Sequence, residues 1–384
     1  MTYGVVVMVG AGAALAVGLI LLRLPGPIAQ PVPDRWHKKS TPVTGGIALL
    51  IGLLVAVATG AAAEHGSSSL AYVASGATGA FVVGFLDDRR RIGPRTKFAG
   101  QIAVAAGVAA AVHPHWLPTA AVIPVATLVL VASMNSFNFL DNIDGLSAGT
   151  AAIAAGALAL MTLSTGGGTL RVLGCAVAGS CLGFLPLNYR PRRSAALFMG
   201  DGGAHLLGLA VGAGALLATP GGAGGIAIAV VAPLLILALP ILDTSLVIIV
   251  RLVEGRPIWK GGTDHISHRL VYVGMSEKEA VAALLGLSAA CAGVALAVVA
   301  ADDALATGAA AGIVFALLVV LGSRLALVEG RLEPSAGLSH NGRVPAEAAA
   351  AARGALMSED LHRAVVEVSP EPAAEVAQDR ARAN

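Results

Sequence analysis

Two neighbouring carboxylates, Asp87 and Asp88, stand at the end of a long apolar stretch of the sequence. Three arginines follow at once, and Lys97 lies a few residues further on. Paired carboxylates at the boundary of an apolar segment are costly unless a cation or a substrate compensates them. The simpler alternative is an interfacial anchor, in which the arginines reach lipid head groups and the aspartates are only solvated. We favour the first interpretation, in which the pair serves binding or catalysis.

Residues 135–146 are richer in oxygen ligands and include no basic residue. Because Lys and Arg are missing, this stretch is not an anchor for lipid head groups. Carboxylate and amide oxygens suit Mg²⁺, which binds through one or two carboxylates together with waters and substrate phosphates. The spacing is not that of an EF-hand, and a polar loop built from Asx turns is the plain alternative. The candidate ligands here are Asn135, Asn138, Asp141, Asn142 and Asp144.

A glycine-rich turn at residues 198–203 precedes another apolar run. Glycines at the start of a helix let backbone N–H groups approach a phosphate. Asp201 lies within this turn, where an aspartate is either the cap of the helix or a metal ligand. The sequence leaves both alternatives open.

Residues 264–270 hold His265, His268 and Arg269. A zinc site would need three or four nitrogen or sulfur ligands, and no second group of His or Cys lies on this side of the predicted membrane. A structural pair of histidines is the common alternative. The flanking Asp264 and Arg269 favour contact with phosphate or pyrophosphate oxygens instead.

The elements that must position these residues are apolar. Of the 384 residues, 56% are hydrophobic and only 12% are charged, whereas a soluble domain carries about 25% charged residues. The composition therefore predicts an all-α integral membrane protein, a polytopic bundle of about 10–11 transmembrane helices. Small residues let helices approach closely in lipid, so a tightly packed bundle is expected. The predicted spans are residues 3–24, 44–63, 70–86, 98–112, 117–134, 148–164, 170–187, 203–218, 226–250, 279–300 and 305–328.

The distribution of positive charge predicts the orientation in the membrane. Alternate loops, 25–43, 87–97, 135–147, 188–202 and 251–278, together hold sixteen Lys and Arg, and the opposite loops hold almost none. Since positive charge favours the cytoplasmic side, we expect the N-terminus outside and the C-terminus in the cytoplasm of a plasma-membrane protein. Residues 1–328 then form one transmembrane domain with cytoplasmic catalytic loops. Residues 329–384 are polar and are expected to be a disordered cytoplasmic tail.

Carboxylates share this asymmetry, which the rule for positive charges does not explain. Three acidic residues face outward, Glu64, Asp302 and Asp303. A divalent metal bound together with phosphates is a natural reason for so many aspartates on one side. The aspartates in or beside the inner loops are Asp34, Asp87, Asp88, Asp141, Asp144, Asp201, Asp243 and Asp264.

Taken in order, these motifs resemble those of the polyprenyl-phosphate N-acetylhexosamine-1-phosphate transferases, glycosyltransferase family 4. The resemblance covers about residues 1–328. It runs through Arg35-Trp36-His37, Thr41-Pro42 with Gly45-Gly46, Asp87-Asp88, 135–146, 198–203, Pro240-x-x-Asp243 and 264–270.

The resemblance implies a Mg²⁺-dependent transfer, with Mn²⁺ as a substitute. A polyprenyl phosphate attacks the sugar-linked phosphate of a UDP-N-acetylhexosamine, and UMP leaves. It also implies that such chains form homodimers, and it implies no nucleic-acid partner. By the same resemblance Asp201 and Asp88 bind the metal, and the catalytic residues are Asp87, Asp88, Asp144, His265 and His268. The implied substrate-binding residues are His37, Lys97, Asn135, Asn138, Asp141, Asn188, Phe198 and Arg269.

The form Asp-His-x-x-His-Arg-Leu at 264–270 looks like the branch that uses UDP-GlcNAc. Phospho-MurNAc-pentapeptide translocases usually carry three successive histidines there, and a transferase of that kind is the alternative. Departures from the family pattern leave the sugar open: Ser267, Asn142 and His205 replace the usual histidine, glycine and leucine, and 188–201 carries extra residues. A polytopic transporter, with ionisable residues near mid-depth, and an inactive relative that binds lipid or protein are the remaining alternatives.

Overall fold

The computed structural model describes residues 2–29, 40–63, 68–112, 119–165, 167–190, 192–218, 225–259 and 261–328. These residues form thirteen helices and one two-stranded sheet. The helices are α1 Thr2–Leu21, α2 Gly45–Ala63, α3 Ser68–Arg90, α4 Pro94–Ala111, α5 Thr119–Leu140, α6 Leu146–Thr165, α7 Gly168–Asn188, α8 Gly200–Leu217, α9 Gly225–Ile236, α10 Ala238–Val253, α11 Ile266–Tyr272, α12 Glu277–Ala301 and α13 Ala304–Ala326. Strand β1, Ile28–Ala29, pairs antiparallel with β2, Thr41–Pro42.

The prediction of an all-α polytopic membrane protein is confirmed. Among the described residues, eight helices are long and apolar enough to cross a membrane. The bent pair α9 and α10, at an angle of 70°, adds a ninth if it is counted as one span. The bend follows Pro233, which lies inside α9 and is a common cause of a kink.

Two of the predicted spans correspond to helices that are less apolar than the other nine. The predicted spans 98–112 and 203–218 overlap α4 and α8. Arg95 and Lys97 lie in the first turn of α4, and Asp201 lies in the first turn of α8. These charged residues make the two helices less apolar than the eight, and both helices carry residues of the site described below.

Helix α8 is the centre of the bundle, since every residue from Gly202 to Leu216 is buried. It contacts α2, α3 and α5 at short distance. A Cβ atom added to Gly84 of α3 would lie 2.4 Å from the backbone of Asp201. One added to Gly208 would lie 2.6 Å from the Cα atom of Met134 in α5. Glycine at these positions allows the close helix packing that the small-residue composition predicts.

Many helices begin or end at the same end of the bundle, and we call this end the polar rim. Helices α3, α5, α7 and α10 end there, and α4, α6, α8 and α12 begin there. The β1–β2 hairpin closes one side of the rim. Pro42 accepts a hydrogen bond from the backbone N–H of Phe198 at 2.9 Å, and the N–H of Gly45 donates to the carbonyl of Phe198 at 2.8 Å. The hairpin thereby fixes the segment that leads into α8.

Candidate active site

A cleft of about 1660 Å³ opens at the polar rim, and we call it the rim cleft. Parts of all five loops that were predicted to lie inside contribute to its wall. The sequence motifs are far apart in the chain, so their meeting in one cavity is a property of the fold. The predicted site residues in its wall are Asp87, Asp88, Lys97, Asn138, Asp141, Asp144, Asn188, Phe198, Asp201, His265 and His268.

A lysine joins two carboxylates on one wall of the rim cleft. Lys97 Nζ lies 3.0 Å from Asp87 Oδ2 and also makes a short contact with the carboxylate of Asp201. Asp87 lies in the last turn of α3, Lys97 in the first turn of α4 and Asp201 in the first turn of α8. Burial lowers the pKa of Lys97, but the charges and hydrogen bonds of Asp201 and Asp87 raise it above its ordinary value. The lysine is therefore a fixed positive charge between helices.

Asp88 caps helix α8 from a neighbouring helix. Its Oδ1 accepts a hydrogen bond from the N–H of Asp201 at 3.1 Å, and its Oδ2 accepts one from the N–H of Gly202 at 3.2 Å. Gly200 has φ +68°, and a Cβ atom there would lie 2.6 Å from Asp88 Oδ2. Glycine is required because this backbone is left-handed and the carboxylate lies so close. The sequence offered Asp201 as the cap, whereas the structure gives that role to Asp88.

The donor chemistry around Asp201 fits a divalent cation. Asp87, Asp88 and Asp201 place three carboxylates beside a single lysine, which leaves an excess of negative charge. Burial raises the pKa of Asp201, but Lys97 and a hydrogen bond from Asn138 lower it to about 2, so the carboxylate is ionised. No group of three or more His, Cys, Asp or Glu within the described residues is arranged to hold a metal alone. Mg²⁺ characteristically takes one or two carboxylates and completes its shell with water and substrate phosphates.

Asn188, the last residue of α7, ties the amide-rich segment to the irregular segment that leads into α8. Its Oδ1 accepts a hydrogen bond from the N–H of Gly145 at 2.7 Å, and its Nδ2 donates to the carbonyl of Leu197 at 3.1 Å. Asp144 Oδ2 accepts a hydrogen bond from the N–H of Ala195 at 3.1 Å. Asp144 and Asn188 thus lie in the wall of the cleft while they also hold its backbone in place.

The opposite wall is built around His265. Its Nδ1 lies 2.8 Å from Asp243 Oδ2, and the other oxygen of Asp243 accepts a hydrogen bond from the N–H of Ile266 at 2.8 Å. Asp243 is 1% exposed, and an ionised carboxylate only accepts hydrogen bonds. The proton of a neutral His265 therefore lies on Nδ1, which leaves Nε2 as the nitrogen available to the cleft.

His268 packs edge-on against His265, with 5.6 Å between the ring centroids. Burial, and after it the charge of His265, lowers the pKa of His268 to about 3. His268 is therefore neutral at physiological pH, and it contributes shape rather than positive charge to the cleft.

Positive charge on this wall comes from Arg251, which the sequence did not single out. It is 2% exposed and lines the cleft. Its Nε donates to Asp264 Oδ2 at 3.0 Å and its Nη1 to the carbonyl of Ile258 at 2.7 Å. Burial raises the pKa of Asp264, but Arg256 and Arg251 bring it below its ordinary value. Other lining residues absent from the predicted set are Arg190, Arg192, Arg193, Trp259 and Lys278. The extra arginines in 188–201 were the one available signal for this group.

Two of the predicted residues that the structure describes, Arg269 and Asn135, do not lie in the wall of the cleft. Arg269 is 4% exposed, and its guanidinium donates to the backbone carbonyls of Asp264, Leu325, Ala326 and Val328. It thus fastens α11 to the end of α13.

Asn135 lies deeper in the bundle, where its Nδ2 donates to Gln101 Oε1 at 2.9 Å and to the carbonyl of Val131 at 2.8 Å. His37, a further predicted site residue, lies outside the described residues.

Comparison with known proteins yields a family model and several curated relatives. The model of glycosyl transferase family 4 matches residues 70–219. That range contains α3 to α8 and therefore the carboxylates, the lysine and the amide-rich segment of the rim cleft.

The relatives are named for two kinds of transferase. Decaprenyl-phosphate N-acetylglucosaminephosphotransferase of Mycolicibacterium smegmatis is 34% identical over 301 residues, which cover 67% of this chain and 71% of the relative. The Mycobacterium leprae protein of the same name is 33% identical over 315 residues, with coverage of 69% and 75%. Phospho-N-acetylmuramoyl-pentapeptide-transferase of Geobacillus kaustophilus is 36% identical over 214 residues, which cover only 50% of this chain and 65% of that protein.

Proposed function

The chain belongs to the polyprenyl-phosphate N-acetylhexosamine-1-phosphate transferases of glycosyl transferase family 4, and we propose that its substrates are UDP-GlcNAc and a membrane polyprenyl phosphate. It transfers N-acetylglucosamine 1-phosphate to the lipid and releases UMP. This reaction is the first membrane step in the synthesis of a cell-envelope glycan.

One observation carries the proposal: Lys97 joins Asp87 and Asp201 in a cleft that also holds Asn138 and His265. Both substrates of the transfer are polyanions, and their charges must be screened before one phosphate can attack another. A wall of three carboxylates next to a lysine suits a site that binds a divalent cation and phosphates together.

In the transfer, an oxygen of the polyprenyl phosphate forms a bond to the sugar-linked phosphorus. The bond from that phosphorus to the bridging oxygen breaks, and UMP leaves with the oxygen. Asp87 and Asp88 orient the lipid phosphate and take its proton if it carries one. Lys97 holds a phosphate oxygen near these carboxylates.

Mg²⁺ fits the carboxylates of Asp201 and Asp88, with Mn²⁺ as a substitute, and would supply charge screening of the donor diphosphate. Asn138, Asp141 and Asp144 orient the nucleotide and its diphosphate, and Phe198 packs against the uracil.

The wall built around His265 serves the donor. Arg251 and the Nε2 atom of His265 face the anionic part of UDP-GlcNAc, and His268 supports the ring of His265 from behind. Because a long isoprenoid approaches from the bilayer and UDP-GlcNAc from the cytosol, an active site at the inner interface serves both. We therefore place the polar rim on the cytoplasmic face of the plasma membrane, with the N-terminus outside.

This topology uses 10–11 spans and counts α4 and α8 among them. We also propose a homodimer in the membrane.

Two alternatives are less well supported. Relatives named as phospho-MurNAc-pentapeptide transferases match a smaller part of the chain than the N-acetylglucosamine enzymes do. A transporter would place its charged residues near the middle of the membrane, whereas Asp87, Asp88 and Asp201 lie in the first or last turns of their helices.

The test is release of UMP by the purified protein with polyprenyl phosphate, Mg²⁺ and a panel of UDP-sugars. We expect turnover with UDP-GlcNAc, little with UDP-MurNAc-pentapeptide, and none after chelation by EDTA until Mg²⁺ is restored. A relative from Mycolicibacterium smegmatis, assayed in parallel, serves as the positive control. If that control works and this protein releases no UMP from any UDP-N-acetylhexosamine, the proposal is wrong.

A further inference from the structure

A second group of polar side chains lies inside the bundle, below the rim cleft. Gln101 of α4 and His205 of α8 are 1% and 0% exposed, and Asn135 of α5 joins them. Gln101 Nε2 lies 3.0 Å from His205 Nε2, and Asn135 Nδ2 lies 2.9 Å from Gln101 Oε1. Polar groups buried between membrane helices cost free energy unless they are hydrogen-bonded. The presence of three such side chains at one level of the bundle therefore calls for an explanation.

The hydrogen bonds of this group have a defined direction. Asn135 Nδ2 donates both to the carbonyl of Val131 and to Gln101 Oε1. Gln101 must then turn its amide NH₂ towards His205, whose Nε2 accepts the hydrogen bond. The proton of neutral His205 consequently lies on Nδ1, and this atom is buried without a hydrogen-bond partner in the described part of the chain. Packing alone does not explain a histidine that leaves a buried donor unsatisfied.

The three side chains repeat the arrangement of the rim cleft one turn deeper. Gln101 follows Lys97 by four residues on α4, and His205 follows Asp201 by four on α8, while Asn135 precedes Asn138 by three on α5. Residues at these spacings lie on the same face of a helix, about 4.5–6 Å apart along its axis. The helices that bring together Lys97, Asp201 and Asn138 are therefore joined a second time just beneath the site.

We infer that Gln101, Asn135 and His205 form a positioning layer that sets the relative height and rotation of α4, α5 and α8. The layer touches no substrate. It acts by holding Lys97, Asn138 and Asp201 at the distances that metal and phosphate binding require, and the inference rests on the function proposed above. It also assigns Asn135 to helix positioning, in place of the direct substrate contact that the family resemblance implied.

Substitutions of His205 test the layer, because the side chains of Gln, Asn and Leu replace different polar atoms of the imidazole ring. In the His205→Gln variant the side-chain oxygen reaches the position of Nε2 and still accepts from Gln101. The His205→Asn variant carries an amide only at the position of Nδ1, and His205→Leu has no polar atom. We expect kcat to fall about tenfold with Leu and with Asn and to stay within about threefold of wild type with Gln, because a lost buried hydrogen bond has an effect of this size.

Two further measurements separate positioning from general destabilisation. The KM for UDP-GlcNAc should change less than twofold, while the dissociation constant for Mn²⁺, measured by EPR in the presence of UMP, should rise about tenfold in the His205→Leu variant. Ser288→Ala is the matched control and should alter neither quantity, because it removes another buried hydroxyl, in α12, that has no hydrogen-bond partner among the described residues.

A double-mutant cycle identifies the contact itself. If the Gln101–His205 hydrogen bond is responsible, the two substitutions are not independent. The dissociation constant for Mn²⁺ should then rise much less in the Gln101→Leu/His205→Leu double variant than the product of the increases in the two single variants. Unchanged Mn²⁺ affinity in the His205→Leu variant would overturn the inference. An equal loss of kcat in the His205→Gln and His205→Leu variants would overturn it too. A wild-type protein that binds Mn²⁺ and releases no UMP would refute the proposed function, and the Mn²⁺ titrations would still decide the role of the layer.

Discussion

The two walls of the rim cleft are built in different ways. The carboxylate wall, which consists of Asp87, Asp88, Lys97 and Asp201, comes from helix ends that touch backbone to backbone, with Gly84 giving the closest approach. The histidine wall, which consists of Asp243, Arg251, Asp264, His265 and His268, comes from helix α10 and from the segment that follows it through α11, and it is joined mainly through side chains.

The first wall therefore has its geometry set by helix packing, and the second has it set by a chain of side-chain hydrogen bonds. Under the proposed function, we expect substitutions in the first wall to act on metal and phosphate binding and those in the second wall to act on the orientation of the donor.

The largest effect is expected from Asp201→Asn. The substitution removes a negative charge from the proposed metal and phosphate site and weakens the contact with Lys97. We expect kcat to fall about 10³-fold, the loss that follows removal of an electrostatic contact to the reacting group. Asp88→Asn should have a similar effect, because one of its oxygens would become a donor facing a backbone N–H at the start of α8.

UMP release measures both variants, and gel filtration in detergent checks their folding. Glu254→Gln is the control, since Glu254 is half exposed and does not line the cleft. Near-normal turnover of the folded Asp201→Asn variant would remove Asp201 from the catalytic set and leave the carboxylate wall without its central member.

Asp243→Asn tests the histidine wall, and we expect a smaller effect. The N–H of Ile266 is a fixed donor, so the oxygen of the new amide must face it and the NH₂ must face His265 Nδ1. The proton of His265 is then forced from Nδ1 to Nε2, which reverses the hydrogen bond that the ring offers to the cleft.

A loss of about 10- to 100-fold in kcat/KM is expected, as for other partners that orient a histidine. Thr244→Val is the matched control, since the buried Thr244 hydroxyl has no partner among the described residues. NMR of ¹⁵N-labelled histidine reports the tautomer directly. A tautomer that stays on Nδ1 in the variant would contradict this account of the wall.

Gly84→Ala tests whether backbone packing sets the carboxylate wall. A Cβ atom at this position would lie 2.4 Å from the carbonyl carbon and oxygen of Asp201, so α3 and α8 must separate. Overpacking of this kind costs about 1–3 kcal/mol, and we expect a lower Tm and about tenfold lower activity. Gly107→Ala in α4 is the control, because nothing lies within 4 Å of its added Cβ. Equal Tm and equal activity of the Gly84→Ala and Gly107→Ala variants would mean that the carboxylate wall tolerates displacement of α3.

Sequence reasoning could predict the carboxylate wall because each of its members stands at the end of an apolar run. Counting spans places Asp87 and Asp201 on the same side, and their charges indicate the chemistry. Asp243 and Arg251 belong to a helix whose partners are set by the bend between α9 and α10 and by the loop that follows. The motif that contains Asp243 was visible, but its contact with His265 depends on tertiary packing.

The direction of a long side chain is equally hidden from the sequence. Arg269 follows two histidines in a polar loop, and every local feature favoured a phosphate contact. The structure turns its guanidinium away from the cleft because the carbonyls at the end of α13 are left without helical partners there, as is general for the last turn of a helix.

Arg269→Gln should therefore have the smallest effect on catalysis of the five test substitutions. If the guanidinium serves as an anchor, its loss leaves the carbonyls of Leu325, Ala326 and Val328 without their donor and lowers Tm. The folded fraction should keep its KM for UDP-GlcNAc and a kcat within about threefold of wild type. If Arg269 bound the donor directly, KM would rise at least about tenfold, as expected when a charged hydrogen bond to a phosphate is lost. Arg256→Gln, a half-exposed partner of the same Asp264, should change neither Tm nor KM appreciably, because exposed ion pairs contribute little.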